Sequence, residues 1–479
     1  MKTYKNNNKL AVWSMMSLAL SLSASPAFSH ADEDHGAENS KNTYYFDAES
    51  GVLNLPKVIV GDQVYSAELK QTPGLLEFTV DNAVLISNCR LLVAARLFDG
   101  MQLHTDKAVL IEGNIVKQVG TQAELAAQCG NVTDLGDATI LPGFIESHAH
   151  ITFQSVDAAT VLKHGITTVR DVGGPSLAAS GGHGNLRLLS SGPILQAPNG
   201  YPTNLFGGDA SHQHSDSDTT SEDAHATPGA HGASTIIGAS VESAEQARET
   251  VRHLIEAGAV AIKIALEPGG EHGAPWSSNS HGHGGPALPW PMLPLETVQA
   301  IVDEAHSLGK IVTAHVGENE GVTLALDAGV DEWSHVPCAA IDESLLQRAA
   351  DQEVKVVTTI DTLSNCTGIA ANTTSLADKG VTFIYGSEIG HNDVPWGINA
   401  EELHSILHLT GTSPLEIFQS ATSKAGETLG IEHLGTLVQN APADIIAVKG
   451  NPFEKFKPLE YPDLVISGGK TVVDNFSGQ

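Results

Sequence analysis

Hydrophobic and polar positions change their period twice along the chain. Between residues 44 and 80 short alternating runs such as Val52-Leu53-Asn54-Leu55 and Val58-Ile59-Val60 are broken by Glu49-Ser50-Gly51 and Gly61-Asp62. Alternation punctuated by Gly and Asp turns predicts a small N-terminal β-meander. Further short strands are expected at residues 83–86, 107–111 and 115–119, the last two joined by a hairpin turn at Glu112-Gly113-Asn114. Residues 443–448 and 464–473 repeat that style, so the two β-rich ends predict one β-sandwich assembled from both termini. Between them the pattern becomes α/β. Apolar strand-like runs at 140–147, 166–170, 193–196, 260–266, 311–316, 331–336, 355–360 and 381–386 alternate with helical periodicity at 241–258, 294–309, 321–329, 342–352 and 399–411. Such alternation predicts a (β/α)8 TIM-like barrel.

The expected organisation is a signal peptide over 1–29, an acidic linker and β module over 30–82, a β-sandwich from 83–139 plus 434–479, and a barrel over 140–433. Lys2, Lys5 and Lys9 precede an apolar run and then small residues, with cleavage expected after Ser29 or Ala31. That run is too short to anchor a membrane span, so the protein is expected to be exported, soluble and periplasmic. Two insertions interrupt the barrel rhythm. Residues 207–234 carry His212, His214, His225 and His231, and residues 267–293 carry His272, His281 and His283. Either they are solvated low-complexity loops or they serve as a lid or a metal-gathering segment. The net charge of −31 becomes more negative once the leader is removed, which argues against nucleic acid and anionic membranes as partners. Cys89, Cys129, Cys338 and Cys366 show no zinc-ribbon spacing. They are either two disulfides, Cys89–Cys129 and Cys338–Cys366, or buried free thiols.

Candidate chemistry begins at Leu141-Pro142-Gly143-Phe144-Ile145-Glu146-Ser147-His148-Ala149-His150. Residues i and i+2 of a strand share a face, so His148 and His150 can aim two imidazoles at one ion. Lys263 sits in an otherwise apolar strand, where an unpaired ammonium is costly. Its neutral form would react with CO2 to give a carbamate able to bridge two metals. His315 and His335 each end a later strand, and Glu388 ends the last. Active sites of such barrels lie at the C-terminal ends of the strands. No Gly-x-Ser-x-Gly elbow and no phosphate-binding loop is present, so serine-hydrolase and nucleotide readings are poor.

Together these stretches, with Gly165-Ile166-Thr167-Thr168-Val169-Arg170-Asp171 and Ala325-Leu326-Asp327-Ala328-Gly329, resemble the amidohydrolase superfamily. The similarity is to its imidazolonepropionase-like and Xaa-Pro dipeptidase-like branch, over roughly residues 83 to 473. The resemblance implies a binuclear site. His148 and His150 would hold the more buried metal, His315 and His335 the more exposed one, and carboxylated Lys263 would bridge them. Zinc is the expected metal, with manganese or cobalt as alternatives. Where the family usually has Gly-Thr-Asp, this chain has Gly386-Ser387-Glu388. Glu388 is therefore expected to act as ligand and as the catalytic acid/base in hydrolysis of an amide or other C–N bond. The implied substrate is an Xaa-Pro-type dipeptide or small cyclic amide, and the implied assembly a homo-oligomer. The alternatives are a deaminase or lactonase on the same scaffold, or a periplasmic metal-binding protein with a degenerate site.

Overall fold

The computed structural model describes residues 45–47, 50–60, 63–72, 78–207, 236–276 and 287–476. The expected signal peptide, nearly all of the 207–234 insertion and residues 277–286 of the other lie outside the described residues.

Near the N-terminus, Tyr45–Asp47, Val52–Val60, Gln63–Gln71 and Phe78–Ser87 form a four-stranded antiparallel sheet in sequence order. Alternation places Tyr65, Ala67 and Leu69 on one face, buried with Val80. The strand Phe78–Ser87 runs across the boundary expected between residues 82 and 83, because its pairing with Gln63–Gln71 continues to Val64 opposite Ser87. The next sheet starts at Cys89.

Two sheets then combine both ends of the chain. One holds Cys89–Val93, Lys107–Glu112, Ile115–Thr121 and Val132–Asp134. In the other, Ala138–Pro142 pairs in parallel with Arg96–Phe98 and antiparallel with Ile445–Lys449, which continues through Leu464–Ser467 to Lys470–Asp474. The apolar faces bury Leu92, Leu97, Val109 and Ile140 against Ile445, Leu464 and Ile466. A central strand that needs partners from both termini explains why the β pattern appears at both ends of the sequence. A disulfide joins Cys89 to Cys129.

The middle of the chain is α/β. Phe144–Ala149, Ile166–Asp171 and Asn185–Ser190 are parallel neighbours. A second sheet runs Gly238–Ser240, Ile194–Gln196, Ile262–Leu266, Val312–Val316, Glu332–Trp333, Lys355–Val357 and Phe383–Ile384, all parallel. Backbone hydrogen bonds from Val260 N to Ser190 O (2.9 Å) and from His150 N to Ile389 O (2.8 Å) connect the two sheets at either end. Helices Ala244–Glu256, Leu295–Ser307, Asn319–Ala328, Glu343–Asp351 and Ala400–Thr410 fall within or next to the predicted spans. The Ser243 hydroxyl and the Asn399 side chain cap two of their N-termini.

Two departures from the sequence pattern matter for the site. The strands expected at 331–336 and 381–386 are only Glu332–Trp333 and Phe383–Ile384, so His335 and Glu388 stand on the loops that follow. The helix Ile369–Asp378 is not visible in the pattern, because its inward face carries a polar residue. Asn372 is buried and its amide donates to Pro337 O (2.9 Å) and Ala339 O (2.7 Å). That helix packs near a second disulfide, Cys338–Cys366.

Candidate metal centre

His148 lies on Phe144–Ala149 and His150 just beyond it, so strand alternation gives both rings the same side. The loop after Phe383–Ile384 returns Glu388 to them. One donor atom from each of His148, His150 and Glu388 lies within 4.8 Å of the others. His335 joins this group, with its ring centroid 4.3 Å from that of His148 and its Nδ1 3.8 Å from Glu388 Oε2. His315 follows, 4.8 Å from His335 between ring centroids. Lys263 is on Ile262–Leu266, 1% exposed, and its ammonium position acts electrostatically on all four histidines and on Glu388. All six expected site residues are therefore gathered at one end of the parallel strands. The tight three-donor group comprises His148, His150 and Glu388, with His315, His335 and Lys263 around it.

Three of the four rings, His148, His335 and His315, are each oriented by a specific partner. His148 Nδ1 lies 3.0 Å from the carbonyl of Ser334, to which it donates, and its Nε2 has no hydrogen-bond partner among the described residues. His335 Nδ1 meets Thr359 Oγ1 at 2.8 Å, and His315 Nε2 meets Glu267 Oε2 at 3.1 Å. Fixing one ring nitrogen leaves the other for coordination. His150 Nδ1, Lys263 Nζ and Glu388 Oε2 are also buried without partners among the described residues. Such atoms cost free energy unless something occupies the space between them.

Burial sets the protonation of this group. Desolvation, then the Lys263 ammonium, brings His150 and His315 down to about 3. His148 and His335 are also well below the usual imidazole range, again mainly through desolvation. The Lys263 amine is pushed well below its ordinary value by burial. Glu388 rises to about 7 through desolvation, opposed by Lys263. Neutral imidazoles, an amine inclined to lose its proton and a poised carboxyl make up a ligand set for divalent cations.

Glu146 holds the two halves of the site together. It is fully buried; Oε1 accepts from His148 N (2.9 Å), and its two oxygens accept from Ser387 N (2.9 and 3.0 Å) and Ser387 Oγ (2.7 Å). This clamp fixes the turn in which Glu388 adopts φ +65°, a strained conformation for a residue with a side chain. A Cβ at Gly386 would lie 2.4 Å from Val357 Cγ1 and 3.2 Å from Glu146 Oε1, so only glycine allows this approach. Below the clamp, Arg170 donates from Nε to Ser147 O (2.8 Å) and pairs with buried Glu332 at 2.5 Å.

Several residues of the site do not stand out in the sequence. Burial raises Glu267 to about 7 and Glu271 to about 8, and Glu267 adds to the rise at Glu271; both crowd the backbone of Gly317, whose missing Cβ leaves them room. Glu271 Oε2 accepts from Trp276 Nε1 at 3.3 Å. The Tyr201 and Trp276 rings flank His315, at 4.7 and 4.4 Å. Glu267 alone carried a signal, as a carboxylate ending the apolar run that contains Lys263. His272 is described and exposed, away from the donor group.

The amidohydrolase family model matches residues 139–472. Ochratoxinase of Aspergillus niger is 25% identical over 473 residues, covering 85% of this chain and 90% of that protein. Its crystal structure superimposes with a TM-score of 0.62 at 21% identity, covering 81% of this chain and 96% of that one. A Xaa-Pro dipeptidase with bound methionine in its active site gives a TM-score of 0.61 at 23% identity, covering 80% and 99%.

Proposed function

Because the chain belongs to the amidohydrolase family, we propose that it is an exported, metal-dependent hydrolase that cleaves an amide or related C–N bond in a dipeptide or small molecule. One observation carries the metal dependence. His148, His150 and Glu388 bring donor atoms together, each has a buried polar atom without a hydrogen-bond partner among the described residues, and so has Lys263, whose charge acts on all three. We take His148 and His150 to hold one divalent ion, His315 and His335 a second, and carboxylated Lys263 to bridge them, with zinc the metal best suited to these donors. The parallel strands would then form the (β/α)8 barrel common to the family, with the site at their C-terminal ends. The two disulfides support export, since such bonds persist in oxidising compartments.

Bound metals would supply an acidified water and a Lewis acid for the substrate carbonyl. The protein's own residues do the remainder. Ser334, Thr359 and Glu267 keep the imidazoles in the tautomer that coordinates. Glu388, with a pKa near 7, accepts a proton from the attacking water and returns it to the departing nitrogen. Glu146 keeps that carboxylate within reach. The Xaa-Pro dipeptidase among the structural neighbours supports a dipeptide as substrate.

The test is hydrolysis of a dipeptide and amide panel by zinc- and manganese-reconstituted protein, with Lys263→Ala and Glu388→Ala in parallel. Two metals per chain and turnover lost in both variants is the expected result. Loosely held ions without hydrolysis of any panel member would refute the proposal.

A further inference from the structure

Beside the donor group lies a cavity of about 160 Å3 whose floor includes His150 and Glu388. One side of it is apolar and mostly aromatic, with Phe153, Tyr201, Phe206 and Trp276 beside Ile194 and Ile237, while Gln154, His391 and Asn392 also line it. The rings stand edge to face or tilted around the space. Phe153 and Phe206 are 6.3 Å apart at 75°, Tyr201 and Phe206 6.4 Å at 70°, and Tyr201 and Trp276 6.3 Å at 53°. Tyr201 is backed by Trp290, stacked at 6.0 Å and 8°. Phe206, at the mouth, remains 41% exposed.

We propose that this cavity seats one phenyl-sized aromatic ring of the substrate, with the scissile bond beside His150 and Glu388. Size supports it, since an apolar protein cavity of about 150 Å3 takes up a benzene molecule. Wall chemistry supports it too: an inserted ring would continue the edge-to-face arrangement that aromatic groups favour. Gln154, His391 and Asn392 also line the cavity and offer polar groups to the amide or carboxylate of the same substrate. A methyl group would leave most of the space empty, and a fused bicyclic ring would exceed it. The assignment of the scissile bond rests on the hydrolase reading; the ring site itself does not.

Two measurements separate these claims. In the first, zinc-supplemented protein is titrated calorimetrically with phenylacetate and with acetate. Phenylacetate is expected to bind about thirty-fold more tightly or better, the ratio appropriate to burying a phenyl group. Phe206→Ala, at a position 41% exposed and with thermal unfolding followed in parallel, should reduce the ratio several-fold. Ile237→Phe should abolish it by filling the space. In the second, hydrolysis of Phe-Gly is compared with Ala-Gly, and of Gly-Phe with Gly-Ala. An aromatic preference is expected in the pair that matches the substrate's orientation. Equal affinities for phenylacetate and acetate, or a ratio unmoved by both variants, overturns the ring site even if every dipeptide is cleaved. A phenylacetate preference that responds to the variants, with no dipeptide cleaved, upholds the ring site and counts against the hydrolase reading.

Discussion

Replacing Lys263 by methionine should make the metal-free protein more stable while removing its response to metal. Lys263 is 1% exposed, and its Nζ has no hydrogen-bond partner among the described residues. Whether it keeps its proton or gives it up, folding bears a cost, because removing an ion from water amounts to several kcal/mol. Methionine has similar volume and no charge, and volume-conserving core replacements cost little. The metal-free variant should therefore gain about 2–4 kcal/mol in urea unfolding, a large share of a typical total of 5–15 kcal/mol. Metal reverses the order. A ligand that binds only the folded state adds about 4 kcal/mol at a thousand times its dissociation constant, and the variant lacks the group proposed to bridge the ions. The assay is a pair of urea titrations for each protein, with chelator and with excess zinc. Wild type should shift to higher midpoint with zinc and the variant should move little. A metal-free variant less stable than wild type would refute the reasoning, since Lys263 would then be held by favourable contacts.

Other residues give separate tests. Glu146→Ala strands the His148 and Ser387 N–H groups and the Ser387 hydroxyl, at about 1–3 kcal/mol each, so urea unfolding should show a loss of about 3–9 kcal/mol; Glu146→Gln, which keeps one acceptor oxygen, should lose less and retain part of the metal content. Glu402, fully buried and accepting from Ile360 N and Asp361 N, is raised by desolvation from 4.5 to about 7. Its stabilising contribution is complete below pH 4.5 and is lost as pH rises through 7, so wild type should lose about 3 kcal/mol relative to Glu402→Gln across that window, read from unfolding at several pH values. Opening the Cys338–Cys366 link, with a sequence separation of 28, by a double alanine substitution should lower stability by about 3–4 kcal/mol from the lost loop constraint, measured by thermal or urea unfolding.

The residues that would bind metal were legible because strand geometry reveals them. His148 and His150 share a face by alternation, and Lys263, His315, His335 and Glu388 each punctuate an apolar run. The contacts that orient them were not. Thr359 reaches His335 across 24 residues and Glu267 reaches His315 across 48, and such pairings depend on where loops come to rest. Glu146 carries no signal of its own in the sequence; its role depends on the Ser387 turn, which lies 241 positions away. Tyr201 precedes one His-rich insertion and Trp276 lies within the other, where no hydrophobic period indicates how the chain folds back. The helix Ile369–Asp378 was hidden by Asn372, whose buried amide satisfies neighbouring backbone groups instead of marking a solvent face.

The most direct test of the account is metal content measured together with turnover on the same sample. Purified protein is stripped with chelator, titrated with zinc, and assayed at each step for bound metal and for amide or dipeptide hydrolysis. The account predicts no turnover in the stripped protein and activity that rises to a plateau at two zinc ions per chain. Hydrolysis that survives complete removal of metal, or no hydrolysis with two ions firmly bound, would contradict it.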